Sequence, residues 1–163
     1  MAFGSGDRRW IALAGNVAIL FGIGVMAITA MIMWSAPSAL IGAYVDPSAP
    51  ANAEVVALAL KFLAVAAVFQ LADGAQAVAA GVLRGVQDTR VPMIIAGFGY
   101  WVVGFGSSVA LGFATPLAGT GVWWGLAAGL LMVAILLVGR WTARDRLELV
   151  PSDAHATLNP GVD

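Results

Sequence analysis

Residues 61–84 read KFLAVAAVFQLADGAQAVAAGVLR, an apolar run closed by Lys61 and Arg84 with a single charge, Asp73, inside it. At 1.5 Å of helical rise per residue, Lys61 and Arg84 stand about 35 Å apart, one bilayer thickness. Each can therefore reach a membrane interface with its long side chain. Asp73 then lies about 16–18 Å from either interface, close to the midplane. A charged carboxylate at that depth costs at least ~2.5–3.5 kcal/mol on insertion scales, so it must face protein or water, or take up a proton. At 100° per residue, Gln70 and Gln76 fall about 60° to either side of Asp73, with Ala66, Ala77 and Ala80 on the same arc. Val68, Leu71, Ala75, Val78 and Val82 occupy the opposite face. One polar, small-residue stripe thus runs along a helix at membrane depth.

The rest of the chain fits that setting. Of 163 residues 61% are hydrophobic and 10% charged, with mean hydropathy +0.92, where a soluble domain carries roughly 25% charge. Disorder is excluded by the hydrophobicity. A formal charge of −1 leaves nothing to offset phosphates, so nucleic acid is not a partner. The chain has no Cys, and its one His, His155, lies in a polar tail beside Ser152 and Asp153. Thiolate chemistry, a His-based triad and a His-rich metal cluster have no material. Met1–Arg9 is not read as a signal peptide, because no small-residue cleavage site follows its basic pair at the usual distance.

Charge spacing predicts four membrane helices, at about 10–34, 51–83, 92–113 and 120–139. Pro37, Gly42, Asp46, Pro47 and Pro50 break the first run, residues 113–120 (FATPLAGT) turn the last two helices, and Pro92 sits in a first turn. Residues 51–60 project beyond the membrane as extra helix. Arg8 and Arg9, the loop from Arg84 to Arg90, and Arg140, Arg144 and Arg146 alternate with connections that hold no Lys or Arg. The positive-inside rule then puts both chain ends in the cytoplasm. The predicted organisation is a cytoplasmic segment 1–9, a four-helix membrane region 10–141 and a disordered cytoplasmic tail 142–163. Trp10, Trp34, Trp123, Trp124 and Trp141 lie near helix ends, as an interfacial belt would have them, whereas Trp101 lies well inside its helix.

Several side chains admit two readings. Asp73 with Gln70 and Gln76 is an ion or proton site, or a structural polar contact between helices. Tyr100 and Trp101 line a cavity for flat cationic compounds by stacking and cation–π contact, or serve ordinary packing. Glu54 and Lys61 are an entrance charge pair, or, as we favour, simply solvated at the surface. Gly121, Gly125 and Gly129, and Gly104, Ser108 and Gly112, recur every four residues and predict tight helix contacts. Gly22-Ile-Gly24 and Gly104-Phe-Gly106 lack a nucleotide fingerprint's third Gly and preceding strand.

The stretch Gln70-Leu-Ala-Asp73-Gly-Ala-Gln76, then Gly81-Val-Leu-Arg84-Gly85-Val-Gln-Asp88-Thr89-Arg90 and Val91-Pro92-Met93, resembles the tenth helix and following loop of the multidrug and toxic compound extrusion (MATE) family. Tyr100-Trp101 and Gly121-Val-Trp123-Trp124-Gly125-Leu126 look like motifs of that family's last two helices, and Gly6-Asp7-Arg8-Arg9 like the loop before its ninth. The resemblance covers about residues 6–141. It implies an all-α membrane protein, a four-helix part of a MATE-type bundle in the plasma membrane of a bacterium. It further implies a polytopic antiporter, not an enzyme, that exports cationic or amphipathic drugs and toxic organic cations. The exchanged ion is sodium or a proton, with no other cofactor. Asp73 matches an acidic residue of the family's cation-coupling site, with Gln70, Gln76, Tyr100 and Trp101 as cavity-lining candidates. Only what looks like the last four of twelve helices is here, so the expectation is a C-terminal fragment, a truncated reading frame, or a piece that works with the remainder of the transporter among membrane lipids. Export of a lipid-linked saccharide on a related fold and a four-helix scaffold role are the alternatives. The absence of Lys or Arg from the membrane-depth stripe argues for cationic cargo.

Overall fold

Four helices long and apolar enough to cross a bilayer run Arg8–Ser35, Pro50–Gly85, Arg90–Phe113 and Ala118–Thr142. They are seen in a computed structural model that describes residues 8–150. Gly6, Asp7, Ser152, Asp153 and His155 lie outside the described residues, among which there is no strand. The spans are α1 (Arg8–Ser35), α3 (Ala53–Gly85, entered through a 3-10 turn at Pro50–Asn52), a third built in three parts, and α6 (Ala118–Thr142). The third comprises α4 (Arg90–Phe98), a π-helical stretch (Gly99–Phe105) and α5 (Gly106–Phe113). Each span falls within three residues of the range that charge spacing predicts.

Three features depart from the sequence reading. The break after α1 holds a short helix, α2 (Pro37–Gly42), which Pro37 restarts from its first position. The connection from α2 to α3 is then fixed locally: the Ser48 hydroxyl and amide donate to the Asp46 carboxylate at 2.6 and 2.9 Å. These bonds hold the Asp46 carboxyl below its ordinary pKa. Second, the tail expected from residue 142 is wound back over the bundle as far as Val150. Val150 is buried in the core, and its carbonyl accepts a 2.7 Å bond from Arg8. Two apolar residues, Leu149 and Val150, give that segment a reason to pack. Third, Trp141 does not belong to an interfacial belt. It is 1% exposed. Gly15 of α1 leaves the space its ring fills, Asn16 Oδ1 accepts its indole N–H at 2.9 Å, and the Arg144 guanidinium stands 4.8 Å from its ring centre. Trp10, Trp34, Trp123 and Trp124 are exposed, as membrane-interface rings can be.

Packing follows the small residues. α3 packs on α1 and on α6, and α6 packs on α3 and on the third span. The glycines of α6 meet the small residues of the third span. A methyl group on Gly125 would stand 2.2 Å from the Ser108 amide nitrogen, and one on Gly129 would stand 2.4 Å from Gly104 Cα. Ser108, buried, shares its hydroxyl between the carbonyls of Gly104 at 2.7 Å and Val122 at 2.9 Å. The two predicted small-residue ladders are thus the two sides of one seam. Gly99 and Gly104, near the ends of the π stretch, both press on Gly129.

The turn from α3 to α4 is a Schellman cap. The Asp88 amide donates to the Leu83 carbonyl at 3.0 Å and the Gln87 amide to that of Arg84 at 2.9 Å. Gln87 holds the left-handed position, φ 65°, where glycine is the usual occupant. The cap turns the Asp88 carboxylate onto Arg140 of α6, whose Nε donates to Oδ2 at 2.5 Å.

Two outcomes follow for thermal unfolding of the purified chain in detergent. Gly125→Val forces side-chain atoms into the Ser108 backbone and should destabilise by about 1–3 kcal/mol or more, while Gly139→Ala, where nothing lies within 4 Å, should change the midpoint little. Gln87→Gly should raise stability by about 1 kcal/mol, by removing the left-handed penalty of a side-chain-bearing residue.

Candidate functional site

α3 runs unbroken from Ala53 to Gly85, so Asp73 keeps the mid-span depth that its distance from Lys61 and Arg84 implies. What the structure adds is the azimuth. On the side toward α1, residues of α3 meet a row of small or adaptable residues. Val78 fills the space over Gly22, and Met26 fills the space over Gly74, where an added Cβ would come within 2.3 Å of Met26 Cγ. One turn before Gly74, the Gln70 side-chain amide donates to the Thr29 hydroxyl and, at 3.2 Å, to the Met26 carbonyl. Further along, the Trp34 indole N–H reaches the Ala64 carbonyl at 3.4 Å. On the side toward α6, Phe62 and Phe69 pack on Trp123, each with ring centres 6.2 Å apart.

Asp73 belongs to neither contact. Its side chain is exposed. Among the described residues it has no ion pair, unlike Asp88 with its arginine. Tyr100 of the π stretch, itself exposed, lies within the field of the Asp73 carboxylate.

The predicted stripe is therefore divided. Gln70 is bonded to α1. Gln76 lines a cleft of about 320 Å³ between α3 and α4, with Ala80, Arg84, Thr89, Pro92 and Met93 in its walls and Leu137 of α6 beneath. Trp101 is not brought to Asp73. It is 73% exposed, and its ring partner is Phe105 one turn along its own span, 6.3 Å between centres. Glu54 and Lys61 are both exposed and form no ion pair with each other. Among the described residues no group of three His, Asp or Glu is placed to hold a metal ion.

Residue-by-residue reading missed Thr29. Its signal is spacing: Gly15, Gly22 and Thr29 recur every seven residues, about 20° of drift per step, so they share one face of α1. The pairing of Asp88 with Arg140 leaves no mark in the sequence, since 52 residues separate the partners.

Comparison with known proteins identifies the family. A sequence model of the MatE family matches residues 1–109. The chain is 49% identical over 147 residues to a protein of Mesorhizobium japonicum (strain LMG 29417 / CECT 9101 / MAFF 303099) named "Probable multidrug resistance protein NorM", covering 90% of this chain and 32% of that protein. It is 50% identical over 140 residues to a protein of the same name from Brucella suis biovar 1 (strain 1330), covering 86% and 30%. Against "Multidrug resistance protein NorM" of Burkholderia vietnamiensis it is 46% identical over 138 residues, covering 85% and 30%. The chain spans about a third of the length of these relatives. With the family model matched over its first 109 residues and long alignments near 50% identity, this chain belongs to the MatE family.

Proposed function

We propose that the chain is part of a multidrug efflux antiporter that exports cationic or amphipathic compounds in exchange for sodium or protons, with Asp73 as the carboxylate that exchanges them. One observation carries the reading: an exposed carboxylate at mid-span with no arginine or lysine paired to it among the described residues. Left facing acyl chains it would be costly, so its face meets water or protein. An unpaired carboxylate in a partly wet cavity alternates readily between a protonated and a cation-bound form. Tyr100 stands within its field and offers a hydroxyl and an aromatic face. The names of the relatives favour drug export over transfer of a lipid-linked saccharide.

Alternating access needs two bundles that rock against each other. The remainder of the transporter, in relatives three times as long, is the natural cover for the Asp73 face. The alternation of basic and non-basic connections orients both described ends toward the cytoplasm. On this reading the membrane is the plasma membrane of a bacterium, and the work is transport without bond chemistry.

The test places this chain in the matching third of the Mesorhizobium japonicum relative, reconstitutes the chimera in vesicles and follows ethidium efflux driven by an imposed sodium or pH gradient. Asp73→Asn should lower gradient-driven efflux at least tenfold with insertion unchanged. Full coupled efflux in that variant overturns the role given to Asp73.

A further inference from the structure

Gln70 carries a side-chain amide one turn from Asp73, and the structure commits its nitrogen to α1. Its nitrogen donates to the Thr29 hydroxyl and to the Met26 carbonyl at 3.2 Å. Thr29 in turn points its own O–H at the carbonyls of Val25 and Met26, 3.2 and 3.1 Å away. The hydroxyl therefore accepts from α3 and donates to α1, a two-way link at a depth where water is scarce. Breaking it strands polar groups in an apolar layer.

The position of this link matters as much as its strength. Contacts between small residues set how closely two helices approach. A hydrogen bond has direction. On the α1–α3 seam the neighbours of Asp73 are held in both ways: Gly74 by the Met26 side chain, which leaves no room for a methyl, and Gln70 by the bond to Thr29. A helical backbone is stiff over one turn, so fixing the azimuth at 70 and 74 fixes it at 73. Asp73 then points about 60° from Gln70 and 100° from Gly74, clear of the seam.

We propose that Thr29 and Gln70 are the positioning residues of the Asp73 site: their bond sets the roll of α3 and thereby the direction in which the carboxylate is presented. Gln70 on this view acts through its N–H, which is held by α1. The inference rests on the coupling role proposed for Asp73, which it deepens by naming what aims that group.

The experiment uses the whole chain in lipid nanodiscs with dicyclohexylcarbodiimide, which modifies protonated carboxyls from the apolar phase. The fraction labelled at Asp73 is read by mass spectrometry across a pH series. Thr29→Val keeps the shape of the side chain and removes the hydroxyl. It should move the labelling midpoint by half a pH unit or more, while Thr29→Ser should restore the wild-type curve. Thr29→Ala and Gln70→Met repeat the comparison without added bulk. A midpoint unchanged in the folded variants overturns the proposal, because a bond that only stabilised the seam would alter melting and leave Asp73 as it was. Loss of folding in all three hydroxyl- or amide-lacking variants also overturns it, by making the bond a condition of folding. A shifted midpoint in Thr29→Val, in a chain whose Asp73→Asn chimera still couples efflux, would keep the positioning role and refute the coupling role alone.

Discussion

Lipid tails are as apolar as leucine, so helices in a bilayer are not driven together by expulsion of water and must gain by close contact instead. This chain depends on that closeness at two seams. On one, Gly121, Gly125 and Gly129 of α6 meet the backbone of the third span; on the other, Gly22 and Gly74 admit Val78 and Met26. A third close contact, Trp141 over Gly15, ties the end of α6 to the start of α1 and leaves the largest ring of the core almost wholly buried. The seam between α6 and the third span is fixed by contact with backbone, which cannot shift as the tip of a long side chain can, whereas α1 meets α3 and α6 through side chains seated on glycine.

That rigid frame treats its two loop- and mid-span carboxylates differently. Asp88 is part-buried beside Arg140, and the left-handed turn at Gln87 exists to aim it there. A pair of this kind neutralises a charge and joins the α3–α4 turn to α6. Asp73 receives no such partner among the described residues and stays exposed. A carboxylate kept only for packing would be expected to be bonded like Asp88. One kept for exchange must be able to release whatever neutralises it, and a resident arginine would prevent that.

The four spans and their ends were legible in the sequence because charge is excluded from hydrocarbon, so Lys61, Arg84, Arg90 and Arg140 mark where helices leave it. The seam between α5 and α6 was legible because its residues repeat every four. Trp141 was misread, since a tryptophan near a helix end suits an interface and a core equally; only the gap at Gly15, 126 residues earlier, decides between them. The short α2 was hidden by its proline, Pro37, which marks a break and equally a first helical position. Likewise the turns that carry Leu149 and Val150 onto the core lie in a stretch, 143–150, whose charged residues mask the few apolar ones. The π stretch left no signal at all, because i→i+5 bonding has no residue preference sharp enough to read.

That stretch also separates two candidates that adjacency had joined. In a regular helix Tyr100 and Trp101 differ by about 100°, and nothing in their order says which faces α3. With the span widened between Gly99 and Phe105 and both Gly99 and Gly104 pressed on Gly129, Tyr100 comes within the field of Asp73 while Trp101 lies outward beside Phe105. π turns recur at functional sites, and this one carries Tyr100. The two helices that face each other across the site are thus set by different means: α3 by a hydrogen bond and a glycine against α1, the third span by glycines against α6. Both spans pack on α6, α3 with Phe62 and Phe69 closing on Trp123, and α6 thereby joins the helix that carries Asp73 to the one that carries Tyr100.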